Sequence, residues 1–194
     1  MRQGQMVRML GIVMLCWGLS MGKAQAFSAS YTQKVTHKGQ TFLSHVMMQE
    51  AFFRIEATIE GQTSVIIHNA DGVFTYLPQQ QMAMKMPALD PSQQPMPGLE
   101  NYQHYLQDQH AELRGTETIG GRLCDVYHFT ELVGKGETTV WVWKEKQFPL
   151  RAEIHDKDGI TLVEMTDIRV GATPDPAAFQ VPAGVQVMDI GAGM

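Results

Sequence analysis

The 194-residue sequence predicts a mainly β protein: a curved antiparallel sheet or half-open β-barrel with small helical insertions that form a lid. Three observations carry that expectation. Short runs alternate apolar and polar residues with period two. Gly, Asp and Asn clusters separate those runs at hairpin spacing. The alternation breaks at one proline-rich stretch, between residues 87 and 108.

The elements are read in chain order. Ala29 to Thr36 is the first predicted strand, turned by His37-Lys38-Gly39-Gln40. Thr41 to Gln49 and Phe52 to Ile59 follow, and Glu60-Gly61-Gln62 turns into Ser64 to His68. Asn69-Ala70-Asp71-Gly72 is a hairpin signal, after which Val73 to Leu77 and Gln81 to Met86 continue the meander. Pro87, Pro91, Pro95, Pro97 and Gly98 predict an irregular crossing. Leu99, Tyr102 and Leu106 then fall on one face of a short helix. Strands resume at Ala111 to Ile119, Leu123 to Leu132, Glu137 to Glu145, Leu150 to His155 and Ile160 to Val170. Pro174 to Phe179 predicts a single helical turn opening at a proline, and Val181 to Ile190 a last edge strand. Such a sheet has to bury a face, and the pieces at 98–108 and 175–179 are both expected to cover its concave side.

Residues 1–26 read as a secretory signal peptide and 27–194 as a single β domain. Arg2 and Arg8 supply a positive start, Met9 to Leu19 is uncharged and mostly apolar, and Ala24-Gln25-Ala26 fits a cleavage site near Ala26. The apolar run is shorter than the ~20 residues that span a bilayer. Cys16 follows the bulky Met14 and Leu15 and reads as part of that run. Lipidation at Cys16 and retention of the segment as an anchor are the alternatives left open. Removing residues 1–26 takes away three of fifteen basic residues and none of twenty acidic ones, so the net charge moves from −5 to −8. That balance speaks against nucleic acid and anionic membrane surfaces as partners. One thiol remains, Cys124, which forms no internal disulfide. A monomer stabilised by its core is expected.

Two constellations stand out. Alternation puts Phe53, Ile55 and Ala57 on one side of their strand, with Arg54 and Glu56 on the other. Trp141 and Trp143 share a side opposite Val140 and Val142. With Ile66 and Phe74, these residues read either as plain core or as the lining of a ligand cavity. Met82, Met84 and Met86 form the second set, on one face of one strand. Thioether side chains fill irregular apolar space, adapt to varied lipid chains, or bind Cu(I), with His37, His45 and His68 as added ligands for Cu(II). No spacing suits zinc or calcium, and no cofactor is implied. Beyond the predicted signal peptide the sequence holds no Gly-x-Ser-x-Gly elbow, and Asp71 and Asp158 each precede a glycine in a turn. The chain is therefore read as non-catalytic.

The order of several stretches carries a resemblance. Phe53-Arg54-Ile55-Glu56 is followed by Val65-Ile66-Ile67 and by Asp71-Gly72-Val73-Phe74-Thr75-Tyr76-Leu77-Pro78. The second half gives Gly115 to Tyr127, then Thr139-Val140-Trp141-Val142-Trp143, Phe148-Pro149-Leu150-Arg151 and Phe179 to Gly184. Together they resemble the exported DUF4412-type proteins, relatives of the LolA/LolB-like outer-membrane lipoprotein-sorting carriers of Gram-negative bacteria. The resemblance implies a lidded half-barrel that holds lipoprotein acyl chains, with an arginine on an early strand contacting the lid. Arg54 stands nearest to that arginine. The long N-terminal helix of the carriers has no obvious counterpart here.

The resulting expectation is a periplasmic, non-catalytic binding or carrier protein for an apolar ligand: an acyl chain, a lipid or a lipoprotein. The ligand-binding candidates are Phe53, Ile55, Ile66, Phe74, Met82, Met84, Met86, Trp141 and Trp143, with Arg54 touching the lid. Two alternatives stay open. One is a copper-handling protein using Met82, Met84 and Met86, and the other is an envelope module that binds a protein partner.

Overall fold

The computed structural model describes residues 27–86, 99, 102–130 and 136–190. The signal-peptide reading of 1–26, Cys16 included, and the proline-rich stretch 87–98 lie outside the described residues.

Among the described residues, twelve strands and one α-helix follow in this order. They are β1 (Ser28–His37), β2 (Gln40–Gln49), β3 (Phe52–Ile59), β4 (Gln62–Asn69), β5 (Gly72–Leu77), β6 (Met82–Met86), α1 (Tyr102–Asp108), β7 (Glu112–Ile119), β8 (Arg122–Thr130), β9 (Glu137–Trp143), β10 (Phe148–Asp156), β11 (Gly159–Val170) and β12 (Gln186–Asp189). All twelve strands join one open, curved sheet in the order β12-β6-β5-β4-β3-β2-β1-β11-β10-β9-β8-β7. The pairs are antiparallel except β12, which lies parallel to β6.

Local chemistry explains the hairpins. Lys38-Gly39 and Glu60-Gly61 have φ of 50° and 79°, and 51° and 79°. Both positions of these two-residue loops are left-handed, which matches the twist of the flanking strands, and glycine takes the second place without steric cost. Asn69 Oδ1 accepts from the Asp71 N–H at 2.9 Å, and Asp156 Oδ1 accepts from the Asp158 N–H at 2.7 Å. These side chains therefore work as turn formers. Pro149, which has no N–H to give, sits at a register shift between β10 and β9. A second shift lies between β1 and β11, where Asp167 takes a φ of 52°.

Two long connections cross the sheet. β6 and β7 lie ten strand steps apart in the sheet order, and Leu99 and α1 fall between them in the chain. Leu99 on that path is almost fully buried, in a cluster with Tyr31, Val46 and Phe53. α1 then packs Leu106 against Phe129, Val140 and Val142. The second connection runs from β11 to β12 through a 3-10 turn at Pro176–Phe179. It passes the opposite face of β3 to β5, where Val181 packs on the cluster of Val65, Ile67 and Phe74. The expectation that the pieces at 98–108 and 175–179 cover one side is thereby corrected. Leu99 packs on the side of Phe53 and Ile55, whereas Val181 packs on the side of Val65, Ile67 and Phe74.

The helix is also shorter than expected. Leu99 precedes it, so Leu99 and Leu106 enter separate clusters instead of sharing a helical face, with Tyr102 touching both. The last strand is confined to Gln186–Asp189.

Candidate functional site

Cross-strand register builds the site. Tyr31, Val46, Ile55, Ile66, Thr75 and Met84 stand side by side from β1 to β6. A second row on the same face runs Ala29, Met48, Phe53, His68, Val73, Met86. Covering is graded along these rows. Ala29, Tyr31 and Val46 are buried, Ile55, Ile66 and Met84 are half-buried, and Met86 is 37% exposed. The first row is thus buried at β1 and β2 and half-covered from β3 to β6, whereas the second keeps Met48, Phe53 and Val73 buried and exposes Met86 at β6. Phe53 stacks on His68 with ring centroids 5.1 Å apart, and His68 Nδ1 lies 2.7 Å from the Ala51 carbonyl.

The nine predicted ligand residues divide by position. Phe53, Ile55, Ile66, Met82, Met84 and Met86 share the face just described. Phe74 points to the other face, in the cluster under the C-terminal crossing. Trp141 and Trp143 lie on β9, three strands beyond β1. Trp141 belongs to the same continuous core as Phe53, and Trp143 packs against it. Both indoles carry a guanidinium: Arg151 lies 4.8 Å from the Trp141 ring and Arg122 lies 5.0 Å from the Trp143 ring. Trp141 Nε1 donates to Glu117 Oε2 at 2.8 Å. Both sides of β9 are covered, as its apolar residues on both faces require, because Val140 and Val142 pack under α1.

The methionine strand differs from a plain core strand. Its fully buried residue is Ala83, while Met82 and Met84 are half-buried. Met86 Sδ accepts from Thr75 Oγ1 at 3.3 Å. Among the described residues there is no group of three or more His, Cys, Asp and Glu side chains that would hold a metal ion.

Arg54 points away from Phe53 and Ile55. Its Nη2 bonds Glu56 Oε2 at 2.9 Å, and its Nη1 donates to the Ala178 carbonyl at 3.4 Å. It therefore holds the C-terminal crossing rather than α1. Asn69 does the same from β4, donating to the Phe179 carbonyl at 2.8 Å.

Sequence reasoning missed a surface hollow of about 380 Å³ beside the register shift of β1 and β11. Thr32, His45, Met47, Asp167 and Arg169 line it. The signal available was the loss of period two at Asp167. Burial pushes the Tyr31 hydroxyl far above the ordinary tyrosine range, and it also pushes the Cys124 thiol up. Cys124 is fully buried, so it is a small apolar residue of the core rather than a nucleophile.

No family model and no curated protein sequence matches the chain. The DUF4412 label expected from the motif order is accordingly without a match, while solved structures do share the fold. An uncharacterised conserved protein from Thermus thermophilus superposes with a TM-score of 0.57 at 15% identity, covering 86% of this chain and 91% of that one. The MucA/MucB complex structure from Pseudomonas aeruginosa gives 0.55 at 16% identity, covering 84% of this chain and 59% of that one. This chain therefore spans about three-fifths of that neighbour. An outer membrane lipoprotein-sorting protein domain from Vibrio parahaemolyticus superposes more loosely, with a TM-score of 0.38 at 13% identity over 81% of this chain and 91% of that one.

Proposed function

We propose that the chain is an exported, non-catalytic binding or carrier protein of the periplasm. Its ligand is an acyl chain or other apolar molecule, held on the sheet face around Ile55, Ile66 and Met84. One observation carries this reading: the row Tyr31, Val46, Ile55, Ile66, Thr75, Met84 is buried at β1 and β2 but only half-covered from β3 to β6. A face that served only as core would be sealed throughout, because uncovered apolar surface costs free energy in water. The half-covered methionines suit a ligand of variable shape. The fold shared with MucB, which is described in complex with MucA, supports a polypeptide as a further occupant of a sheet of this type.

The test is uptake of a fluorescent fatty acid by the purified protein, wild type against Ile66→Glu, with circular dichroism to check the fold. Saturable uptake in the wild type and at least tenfold weaker uptake in the variant is the expected result. No uptake, or equal uptake in a folded variant, would remove the proposal. Native mass spectrometry of protein taken from the periplasm then identifies the copurified ligand.

A further inference from the structure

The two ends of the sheet are protected differently. Among the described residues, β7 leaves one edge unpaired, and that strand carries Glu112, Arg114 and Glu117 and a register shift at Leu113/Gly115. Charges and bulges on an edge strand discourage further pairing. β6, at the other end, carries three methionines and a single charge, Lys85. Its edge is covered by the chain's own β12 instead.

β12 is a weak cover. All four of its residues are exposed, and Val187 and Met188 remain 49% and 39% accessible. It is held to β6 by backbone bonds such as Gln186 N–H to the Gln81 carbonyl at 3.1 Å and Ile190 N–H to the Lys85 carbonyl at 3.2 Å. No side chain of β12 itself is buried in that ladder. The segment just before it is firmly fixed: Phe179 is buried, and Asn69 and Arg54 bond the carbonyls of Phe179 and Ala178. Between the fixed and the weakly held parts lies a turn closed by Val185 N–H on the Pro182 carbonyl, with Gly184 at φ 83°. A backbone joint thus separates a buried anchor from a strand that buries none of its own side chains, the kind of segment in which local opening costs least.

We propose that the β6 edge is a strand-addition site for an extended segment of another polypeptide, and that β12 is the chain's own occupant of it, displaced when the partner binds. The register defines the recognition chemistry. Met188 pairs with Met84, and Asp189 pairs with Lys85. The partner segment therefore runs parallel to β6 and presents an apolar residue followed by a carboxylate. Main-chain bonds supply affinity in such complexes, and alternate side chains supply specificity. This site is an edge, distinct from the apolar face, and does not rest on the lipid reading.

The experiment uses the chain from residue 27 to 194 and a labelled peptide, Val-Gln-Val-Met-Asp-Ile, copied from residues 185–190. The N–H groups of Gln186 and Ile190 face β6. Period two puts that of Met188 there as well, and that of Val187 away from it. Met188→Pro removes a ladder donor and frees the edge, whereas Val187→Pro keeps all three. Expected are at least tenfold tighter peptide binding by Met188→Pro than by wild type or Val187→Pro, and loss of that binding when the peptide's Asp is replaced by Lys. Equal binding by folded Met188→Pro and wild type, equal binding of the reversed-charge peptide, or self-association of Met188→Pro without peptide binding would each overturn the proposal. Should Met188→Pro fail to fold, hydrogen exchange on the wild type decides. Exchange of β12 and β6 amides well ahead of β4 and β5 supports the site, and exchange of all of them together overturns it. Fatty-acid uptake by the wild type, measured separately, decides the face-binding reading.

Discussion

Asn69 and Phe179 are 110 positions apart in sequence, yet the Asn69 amide donates to the Phe179 carbonyl at 2.8 Å inside the fold. The Asn69 side chain also accepts from the Asp71 N–H, so one buried residue closes a hairpin and ties down the C-terminal crossing. Replacing it with alanine leaves a buried carbonyl without its donor. A loss of about 1–3 kcal/mol in unfolding free energy is expected, read from urea denaturation. Hydrogen exchange should locate the loosening at residues 176–181.

Phe148 is the largest of the fully buried side chains and meets Tyr31 edge-on, with centroids 5.4 Å apart. Phe148→Ala should cost about 3–5 kcal/mol, as for other large-to-small core changes. Near-ultraviolet circular dichroism should weaken with it as the Tyr31 ring loses its fixed surroundings. A variant that keeps both its unfolding midpoint and its aromatic signal would contradict the packing described here.

Stability should fall in alkali. Burial raises the pKa values of Cys124 and Tyr31 in the folded chain, so both stay protonated there at pH values where the unfolded chain has lost those protons. The unfolded state then binds fewer protons, and the slope of stability against pH is negative. The contribution is complete below about pH 8.5 and declines above it, first through the thiol and then through the phenol near pH 10. Urea midpoints measured at pH 7 and pH 10.5 should differ, and Cys124→Ala with Tyr31→Phe should narrow the gap.

The Trp141 indole donates to Glu117, an exposed carboxylate on the edge strand. Glu117→Leu removes the acceptor and should cost about 1–3 kcal/mol, with a shift in tryptophan emission. Glu117→Gln keeps an acceptor oxygen and should retain most of both. Equal emission spectra for all three proteins would show that the indole does not depend on this contact.

Much of the fold is legible in the sequence because its signals are local. Phe52 to Ile59 alternates cleanly and turns at Glu60-Gly61, and β3 has those same ends. Val73 and Phe74 are different. Both are buried, so alternation cannot say which faces the rows of Ile55 and Ile66. Only the register with Ile67 and Lys85 separates Phe74 from that face. In β6 hydrophobicity misleads, since Ala83 is the sealed residue and the larger methionines are not. The pairing of β12 with β6 joins segments about a hundred residues apart, and no local pattern encodes it. The contact of Arg54 with the Ala178 carbonyl likewise joins residues more than a hundred positions apart, and no local pattern encodes it.

The position of β1 in the sheet has a consequence for how the chain reaches its folded state. β1 is an interior strand whose two neighbours are made at very different times. β2 follows it at once, whereas β11, which pairs Val170 with Ala29 and Thr161 with His37, comes from the last quarter of the chain. Synthesis delivers the N-terminal end first, so β1 to β6 exist as a meander with a naked ten-residue border until residues 159–170 arrive. Pairing at such sequence separation is slow, and the waiting border is open to the wrong strand. Loss of residues 159–170 would therefore do more than shorten the protein. It would leave the first half as an adhesive fragment, so correct assembly depends on the tail arriving before a neighbouring molecule does.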